Sequence, residues 1–425
     1  MVAKTDNTSG FYNLGIAPNI LEILDSIEFV TPTPIQEKSI PPAIEGKDMI
    51  GIAQTGTGKT LAFGIPLLQA AQHGKHCLVV LPTRELALQV NEVLQKIGTR
   101  LNVRTAVVIG GEPIGRQMQK LRRNPQIVIG TPGRIVDHLE RKSLTLKTVS
   151  TLVLDEADRM LEMGFAPQLK IILFAVNKGR QMLLFSATMP RNVVAIAEAN
   201  MKLPLHIEIA PSGTTVKNIT QELFFVQKSD KSRLLEKVLY EYGGPVLVFS
   251  RTKFGAKRIA TMIRSMGHAA VELHSNRSLK QRVEALQGFK SGKYRILVAT
   301  DIAARGIDVK GIELVLNFDL PNTAEDYVHR IGRTARAGGT GHAISFATPQ
   351  EKNDVRGIER LIRTTLPLSK LPELPPFRKS DRIPETYENR FKRSYPRGGR
   401  RDTGKARGYG ASRFQRGPRR NFRRK

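Results

Sequence analysis

At 425 residues the chain is too long for one compact core and long enough for two that need no covalent staples. Its single cysteine, Cys77, excludes an internal disulfide, and no apolar run approaches the roughly 18 to 20 residues of a membrane-spanning helix. A formal net charge of +29 exceeds what solubility asks for and points to a polyanionic partner.

Taken in chain order, the N-terminus MVAKTDNTSG lacks the apolar region of a secretory signal, which predicts a cytoplasmic protein. Short apolar runs then recur at 49–52, 77–81, 106–109, 127–129, 151–154 and 182–185, with helical patterns between them. Cys77 lies in the second run and reads as a buried strand residue. After Ala210-Pro211-Ser212-Gly213-Thr214-Thr215, a natural linker, a second set follows at 246–249, 269–273, 296–299, 314–318 and 343–346. This cadence predicts an α/β chain of two lobes, each a parallel sheet covered on both faces, with ligands beyond the carboxyl ends of the strands. The expected boundaries are a first domain at 1–209, a linker at 210–218, a second domain at 219–375 and a tail at 376–425. The tail carries 18 Lys/Arg against 4 Asp/Glu, a net +14, with Tyr395, Tyr409, Phe414 and Phe422 set among arginines and glycines. Such a composition buries too little to offset ordering entropy, so it is expected to be disordered and to hold phosphates and stack on bases.

Two motifs carry the chemistry. Ala53 to Thr60, AQTGTGKT, follows the first apolar run, so its backbone N–H groups can wrap phosphates, with Lys59 as a point charge and Thr60 as a hydroxyl for Mg²⁺. Ala53 stands where the generic pattern has glycine. Asp155-Glu156-Ala157-Asp158 closes a later run and places a carboxylate beside that metal. The pair predicts a nucleoside triphosphate bound with magnesium. A plainer role for Asp155 and Glu156, capping the helix that starts near Ala157, is compatible with this. The 8 histidines offer no paired metal spacing.

These motifs and others in fixed order make the chain resemble the DEAD-box ATP-dependent RNA helicases, whose fold is two tandem RecA-like domains, from about Phe11 to Pro367. Thr33-Pro34-Ile35-Gln36 with Phe11 is similar to the Q motif, and AQTGTGKT to motif I. Pro82-Thr83-Arg84-Glu85-Leu86-Ala87, Gly110-Gly111 and Thr131-Pro132-Gly133-Arg134 resemble the elements that follow. The acidic quartet resembles motif II and Ser186-Ala187-Thr188 motif III. In the second lobe, VFSRTK (248–253), Gln281-Arg282, ATDIAARGID (299–308) and HRIGRTAR (329–336) resemble the remaining motifs. The run His274 to Arg282 and the short basic tail look most like the bacterial RhlE-like group. Three positions depart from the pattern: Glu28, Ser275 and Ala335 stand where the family often has glycine.

The resemblance implies ATP and Mg²⁺ as cofactors and RNA as partner. Gln36 selects adenine through a bidentate amide contact, and Phe11 either stacks near the base or is a hydrophobic plug. Thr55, Gly56, Thr57 and Gly58 cradle the phosphates with Lys59, while Thr60 and Asp155 hold the metal. Glu156 orients the attacking water. Asp158, Ser186 and Thr188 bridge to the second lobe, which supplies Arg333 and Arg336 as fingers and Asp308, with Gly306, on the nucleotide. RNA is held without base reading by Arg84, Gly111, Thr131, Gly133 and Arg134, and by Arg251, Arg282, Thr300 and Gly306. The implied activity is ATP-dependent RNA unwinding. A DNA-directed or general P-loop ATPase, and an RNA clamp or annealing chaperone working through the tail, are the alternatives. Ribosomal precursor particles or RNA-decay proteins are the partners that similar proteins suggest, with no membrane association.

Overall fold

The computed structural model describes residues 10–53, 56–209, 219–304, 309, 311–335 and 340–376. The expected linker at 210–218 and the tail from 377 onward lie outside the described residues, as do Thr55, Gly306, Asp308 and Arg336.

The described strands form two sheets, and every pairing in them is parallel. The first contains β1 (Met49–Ile52), β2 (His76–Val80), β3 (Thr105–Val108), β4 (Ile127–Gly130), β5 (Val149–Leu154), β6 (Gln181–Ser186) and β7 (Leu205–Glu208), in the order β3-β4-β2-β5-β6-β1-β7. The second contains β8 (Ile219–Phe225), β9 (Val246–Phe249), β10 (Ala270–Leu273), β11 (Ile296–Ala299), β12 (Leu314–Asn317) and β13 (Gly341–Ala347), in the order β10-β11-β9-β12-β13-β8. The two α/β lobes expected from the sequence are therefore present. Both fall within one compact unit. Among the described residues no helix is long and apolar enough to cross a membrane.

The near-continuous apolar runs are explained by burial on both faces. In β2, Cys77 and Val79 enter one core with Met49 and Leu183, while Leu78 and Val80 enter another with Ile50 and Leu184. The second sheet divides in the same way: Val246 and Val248 face one cluster, Leu247 and Phe249 the other. Each such side chain contributes about 1.5 to 3 kcal/mol of apolar burial. Gly51, inside β1, is required by packing, because a Cβ there would meet the Phe185 ring at 2.6 Å, and that ring is itself tilted against Phe63. A glycine thus seats the strand that feeds the phosphate loop.

Because all strands of a sheet run the same way, their carboxyl ends share one edge. In the first lobe that edge receives Ala53 and the turn from Gly56 to Gly58 after β1, Arg84 after β2, Gly111 after β3, Thr131 after β4 and Asp155 after β5, with Ser186 closing β6. In the second it receives Arg251 after β9 and Thr300 after β11.

Candidate active site and nucleic-acid interface

The phosphate loop turns through Gly56 and Gly58, both with left-handed backbone (φ 90° and 94°), into the helix Lys59–Gln72. Only glycine adopts this conformation without cost. Ala53 N–H donates to Ser186 O at 3.0 Å, tying the start of the loop to the end of β6. Lys59 is buried with Nζ 3.8 Å from Asp155 Oδ1, and Nζ has no hydrogen-bond partner among the described residues. A buried ammonium in that condition is costly, and phosphate oxygens would satisfy it.

Asp155 is buried as well, and burial pushes its carboxyl up to about 6; the Lys59 charge opposes the rise and the neighbouring Glu156 adds to it. Removing a carboxylate from water without full compensation is what a bound hard cation would offset. The donor set therefore fits magnesium, which characteristically takes one or two carboxylates together with substrate phosphates. Glu156 has left-handed backbone, φ 53°, and its Oε2 lies 4.0 Å from Arg159 Nη1. It occupies the N-cap of the helix Ala157–Glu162 but makes no side-chain capping bond there, so capping does not account for its carboxylate.

Asp158 joins the pieces. Its Oδ2 accepts from Thr188 N–H at 2.9 Å and Thr188 Oγ1 at 2.7 Å, while its own N–H donates to Ser186 Oγ at 3.2 Å. Burial would raise its pKa, but the Thr188 hydrogen bond and the charges of Lys59, His329 and Arg159 outweigh that and hold it below the usual carboxylate range. His329 belongs to the second lobe, so the Asp158–Ser186–Thr188 set meets it electrostatically.

Around the base site the structure refines two expectations. Phe11 is 3% exposed and packs in the first core cluster. Gln36 is equally buried, with Oε1 accepting from Thr33 N–H at 2.9 Å and Nε2 donating to Gly58 O at 3.0 Å. Its amide couples a helix start to the phosphate loop and leaves one N–H and one lone pair for a base.

In the second lobe Arg333 is 3% exposed and its Nε donates to His329 O at 3.2 Å. Arg330 went unnoticed in the sequence. It is almost fully buried, bidentate to Asp301 at 2.6 and 2.8 Å, bonded to Asn317 Oδ1 at 3.0 Å and Asp319 O at 2.6 Å, and lies 4.9 Å over the Phe249 ring. It fastens the helix Ala324–Ile331, which carries His329, to the ends of β9 and β12 and to Asp301 just past β11.

Two of the three departures from the family pattern have a common physical cost. Glu28 (φ 61°) and Ala335 (φ 52°) both have left-handed backbone, whereas Ser275 does not. Glu28 follows the helix Pro18–Ser26, where Phe29 N–H returns to Leu24 O and Glu28 N–H to Asp25 O, a Schellman-type ending that favours glycine. For Ala335→Gly we expect a gain of about 1 kcal/mol, since the Cβ strain disappears. Chemical denaturation would measure it; an unchanged or lowered stability would show that Ala335 is relaxed.

On the nucleic-acid edge, Arg84 lies across Gly110 and Gly111; a Cβ at Gly110 would come 2.9 Å from Arg84 Nη2, so the glycine pair makes room for the guanidinium. Burial, with the nearby charges of Arg282 and Arg134, pushes the Arg84 pKa down, while Glu85 opposes the shift. Arg84 thus lies within electrostatic reach of two further arginines at this edge. Arg282, from the second lobe, contacts Glu85 Oε1 at 2.9 Å and so engages protein as well as facing this edge. A cavity of about 500 Å³ between Leu88 and Gly111 on one lobe and Leu279 and Val283 on the other lies beside this pair. Arg134 is held by Glu112 O (3.1 Å), Gln117 Oε1 (3.3 Å) and Asp137 (3.3 Å), and Arg251 by Glu351 (2.7 Å). Thr131 is the buried N-cap of Pro132–Glu140, Thr300 opens Asp301–Ala304, and a Cβ at Gly133 would meet nothing within 4 Å. Sequence reasoning missed the support beneath this edge: fully buried Gln117 donates to Ile109 O at 2.8 Å and contacts His138 Nε2 at 3.0 Å.

Two RecA-like lobes with a glycine-cradled lysine beside a buried acid define a nucleotide-driven motor core. The DEAD/DEAH box helicase model matches residues 33–196, and the helicase conserved C-terminal domain model matches 230–338. The chain is 45% identical over 369 residues to the DEAD-box ATP-dependent RNA helicase CshA of Bacillus cereus, covering 86% of this chain and 70% of that protein. It is 43% identical over 372 residues to CshA of Bacillus subtilis, covering 86% and 75%. Among solved structures it is similar to S. cerevisiae Dbp5 bound to RNA and ADP BeF3 (29% identity, TM-score 0.77, 85% of this chain and 96% of that one). It is also similar to Mss116p bound to ssRNA and AMP-PNP (29%, TM-score 0.78, 88% and 82%). The chain belongs to the DEAD-box ATP-dependent RNA helicases. It is an ATP-hydrolysing enzyme that unwinds RNA.

Proposed function

We propose that the lobes, with boundaries at 1–209 and 219–375, share one nucleotide site and one RNA path, and that closing them bends an RNA strand away from its partner. Gly56, Gly58 and Lys59 hold the phosphates, with Thr55 and Thr57 beside them; Thr60 and Asp155 hold magnesium, and Gln36 selects adenine. Bound there, magnesium supplies charge neutralisation on the phosphates. Glu156 orients the attacking water, and Arg333 with Arg336 neutralises charge on the γ-phosphate from the second lobe. Asp308 takes the ribose and Gly306 lies beside it, while Asp158, Ser186 and Thr188 carry closure to the metal site. The observation that carries this reading is the buried set Lys59, Asp155 and Asp158, of which Asp158 bonds Thr188 and feels the charge of His329 from the other lobe.

RNA contacts fall to Arg84, Gly111, Thr131, Gly133 and Arg134 with Arg251, Arg282 and Thr300, through phosphates and sugars rather than bases. The tail at 376–425, net +14, adds a salt-sensitive tether. The run His274 to Arg282 favours an RhlE-like subgroup, although the relatives reported above are CshA proteins. A cytoplasmic enzyme acting on structured RNA, such as ribosomal precursors or messages under decay, fits this reading; an RNA clamp or annealing role is its closest alternative. The test is ATP hydrolysis measured with RNA, with DNA of the same sequence and with neither. RNA alone should stimulate strongly; equal stimulation by DNA would replace this reading with that of a general nucleic-acid ATPase.

A further inference from the structure

Four adjacent strands of the second sheet, in the order β9-β12-β13-β8, end at one edge, and the residues that leave them there meet around a buried lysine. Lys231 opens the helix Lys231–Glu241, which follows β8. Its side chain is 5% exposed, and Nζ donates to Phe318 O at 2.8 Å, just past β12, and to Phe346 O at 3.3 Å, near the end of β13. Two carboxylates flank it, with Asp319 Oδ1 at 3.8 Å and Glu351 Oε2 at 3.9 Å. An ammonium at the first position of a helix faces the positive end of the dipole, and burial adds a desolvation cost. Burial pushes the Lys231 pKa down, while both carboxylates oppose the shift. The helix alone gives no reason for a lysine here.

Both acids go on to Arg251, which follows β9. Asp319 Oδ2 accepts from Arg251 N–H at 3.0 Å and from Ser250 Oγ at 3.1 Å. Glu351 Oε1 accepts from Arg251 Nη2 at 2.7 Å, and Leu320 O accepts from Arg251 Nε and Nη2 at 3.3 Å each. Each carboxylate therefore turns one oxygen to Lys231 and the other to Arg251. Glu351 is itself fixed by Thr348, whose N–H and Oγ1 donate to Oε2 at 2.9 and 3.0 Å. Burial would raise the Glu351 pKa, but the Thr348 N–H, the Lys231 charge and the Arg251 bond outweigh it and hold it below its ordinary value. The bonds to the Arg251 side chain occupy Nε and Nη2 and leave Nη1 for a ligand, and that side chain is 40% exposed.

With Arg251 read as an RNA contact, as above, we propose that Lys231 is a positioning residue for RNA binding: it orients Asp319 and Glu351, and these set the main chain and the guanidinium of Arg251 for a phosphate. A guanidinium gripped along one side presents its remaining N–H groups in a fixed direction, which suits a phosphate oxygen. Lys231, buried beneath these groups, acts without touching RNA.

Binding of a fluorescein-labelled single-stranded oligouridylate to the full chain, with a non-hydrolysable ATP analogue present, separates position from charge. Lys231→Met removes a positive charge and Glu351→Gln a negative one, so electrostatics alone would weaken binding in the first and strengthen it in the second. Positioning predicts weaker binding in both, by about fivefold, with the RNA-saturated hydrolysis rate within about twofold of wild type. Arg251→Met should weaken binding at least as much. Adding either substitution to it should then change affinity by less than about twofold, since no guanidinium is left to aim. If Lys231→Met does not fold, Glu351→Gln, which spares the Lys231 bonds to both carbonyls, carries the same comparison. Binding by Glu351→Gln as tight as wild type or tighter, or effects that add in full to that of Arg251→Met, would overturn the proposal. Unchanged binding by Arg251→Met would instead remove Arg251 from the RNA path, and the role of Lys231 with it.

Discussion

Glu156→Gln is expected to lower ATP turnover by about 100-fold or more while ATP and RNA binding persist. Glutamine keeps the size of the side chain but cannot accept a proton or polarise water. Lys59, Asp155 and the Asp158–Thr188 bonds are untouched by the change, so phosphate, metal and lobe contacts remain. Glu156 sits at a strained N-cap without capping with its side chain, so a large effect would be chemical rather than a loss of helix stability. Single-turnover hydrolysis with RNA bound separates the two. Retention of more than about a tenth of wild-type turnover would remove Glu156 from the chemistry, because one well-placed proton-handling group is commonly worth ~10²-fold or more.

Arg330→Met is expected to destabilise the second lobe by about 3 kcal/mol. Methionine fills much of the volume but leaves Asp301 and Asn317 without the guanidinium that bonds both. Breaking one side of a buried pair is more damaging than replacing both, and partial exposure of Asp301 places the loss at the lower end of the usual range. Denaturant titration gives the number. Adding Asp301→Asn should recover part of it; a single-variant loss below about 1 kcal/mol would mean that the buried network is solvated and unimportant.

The sequence disclosed the lobes and the nucleotide cradle because those features depend on apolar runs and on a glycine-lysine turn at a strand end. It did not disclose β7 or β8. Both are edge strands; Leu205-His206-Ile207-Glu208 has one buried residue and no continuous apolar run, while β8 is polar from Thr220 to Glu222 and apolar only from Leu223 onward. Arg330 was illegible for a different reason: composition and spacing treat arginine as surface, and only the tertiary meeting of Asp301, Asn317 and Phe249 makes it core. The same holds for Gln117, whose role depends on Ile109 O, Arg134 and His138 arriving from other elements. Gln36 stood out in the sequence as a candidate base contact, but its bond to Gly58 did not, since the two are 22 residues apart. Glu28 and Ala335 were visible as departures from a pattern, and backbone geometry supplied the reason.

The central claim is that one ATP is served by both lobes, and Arg333→Ala tests it most directly when ATP affinity and the RNA-saturated hydrolysis rate are measured on the same preparation. The account predicts ATP affinity within about threefold of wild type and a maximal rate reduced by about 100-fold or more, because the guanidinium acts on charge that develops only in the transition state. A collapse of ATP affinity with the maximal rate preserved would make Arg333 a ground-state ligand and contradict the two-lobe mechanism.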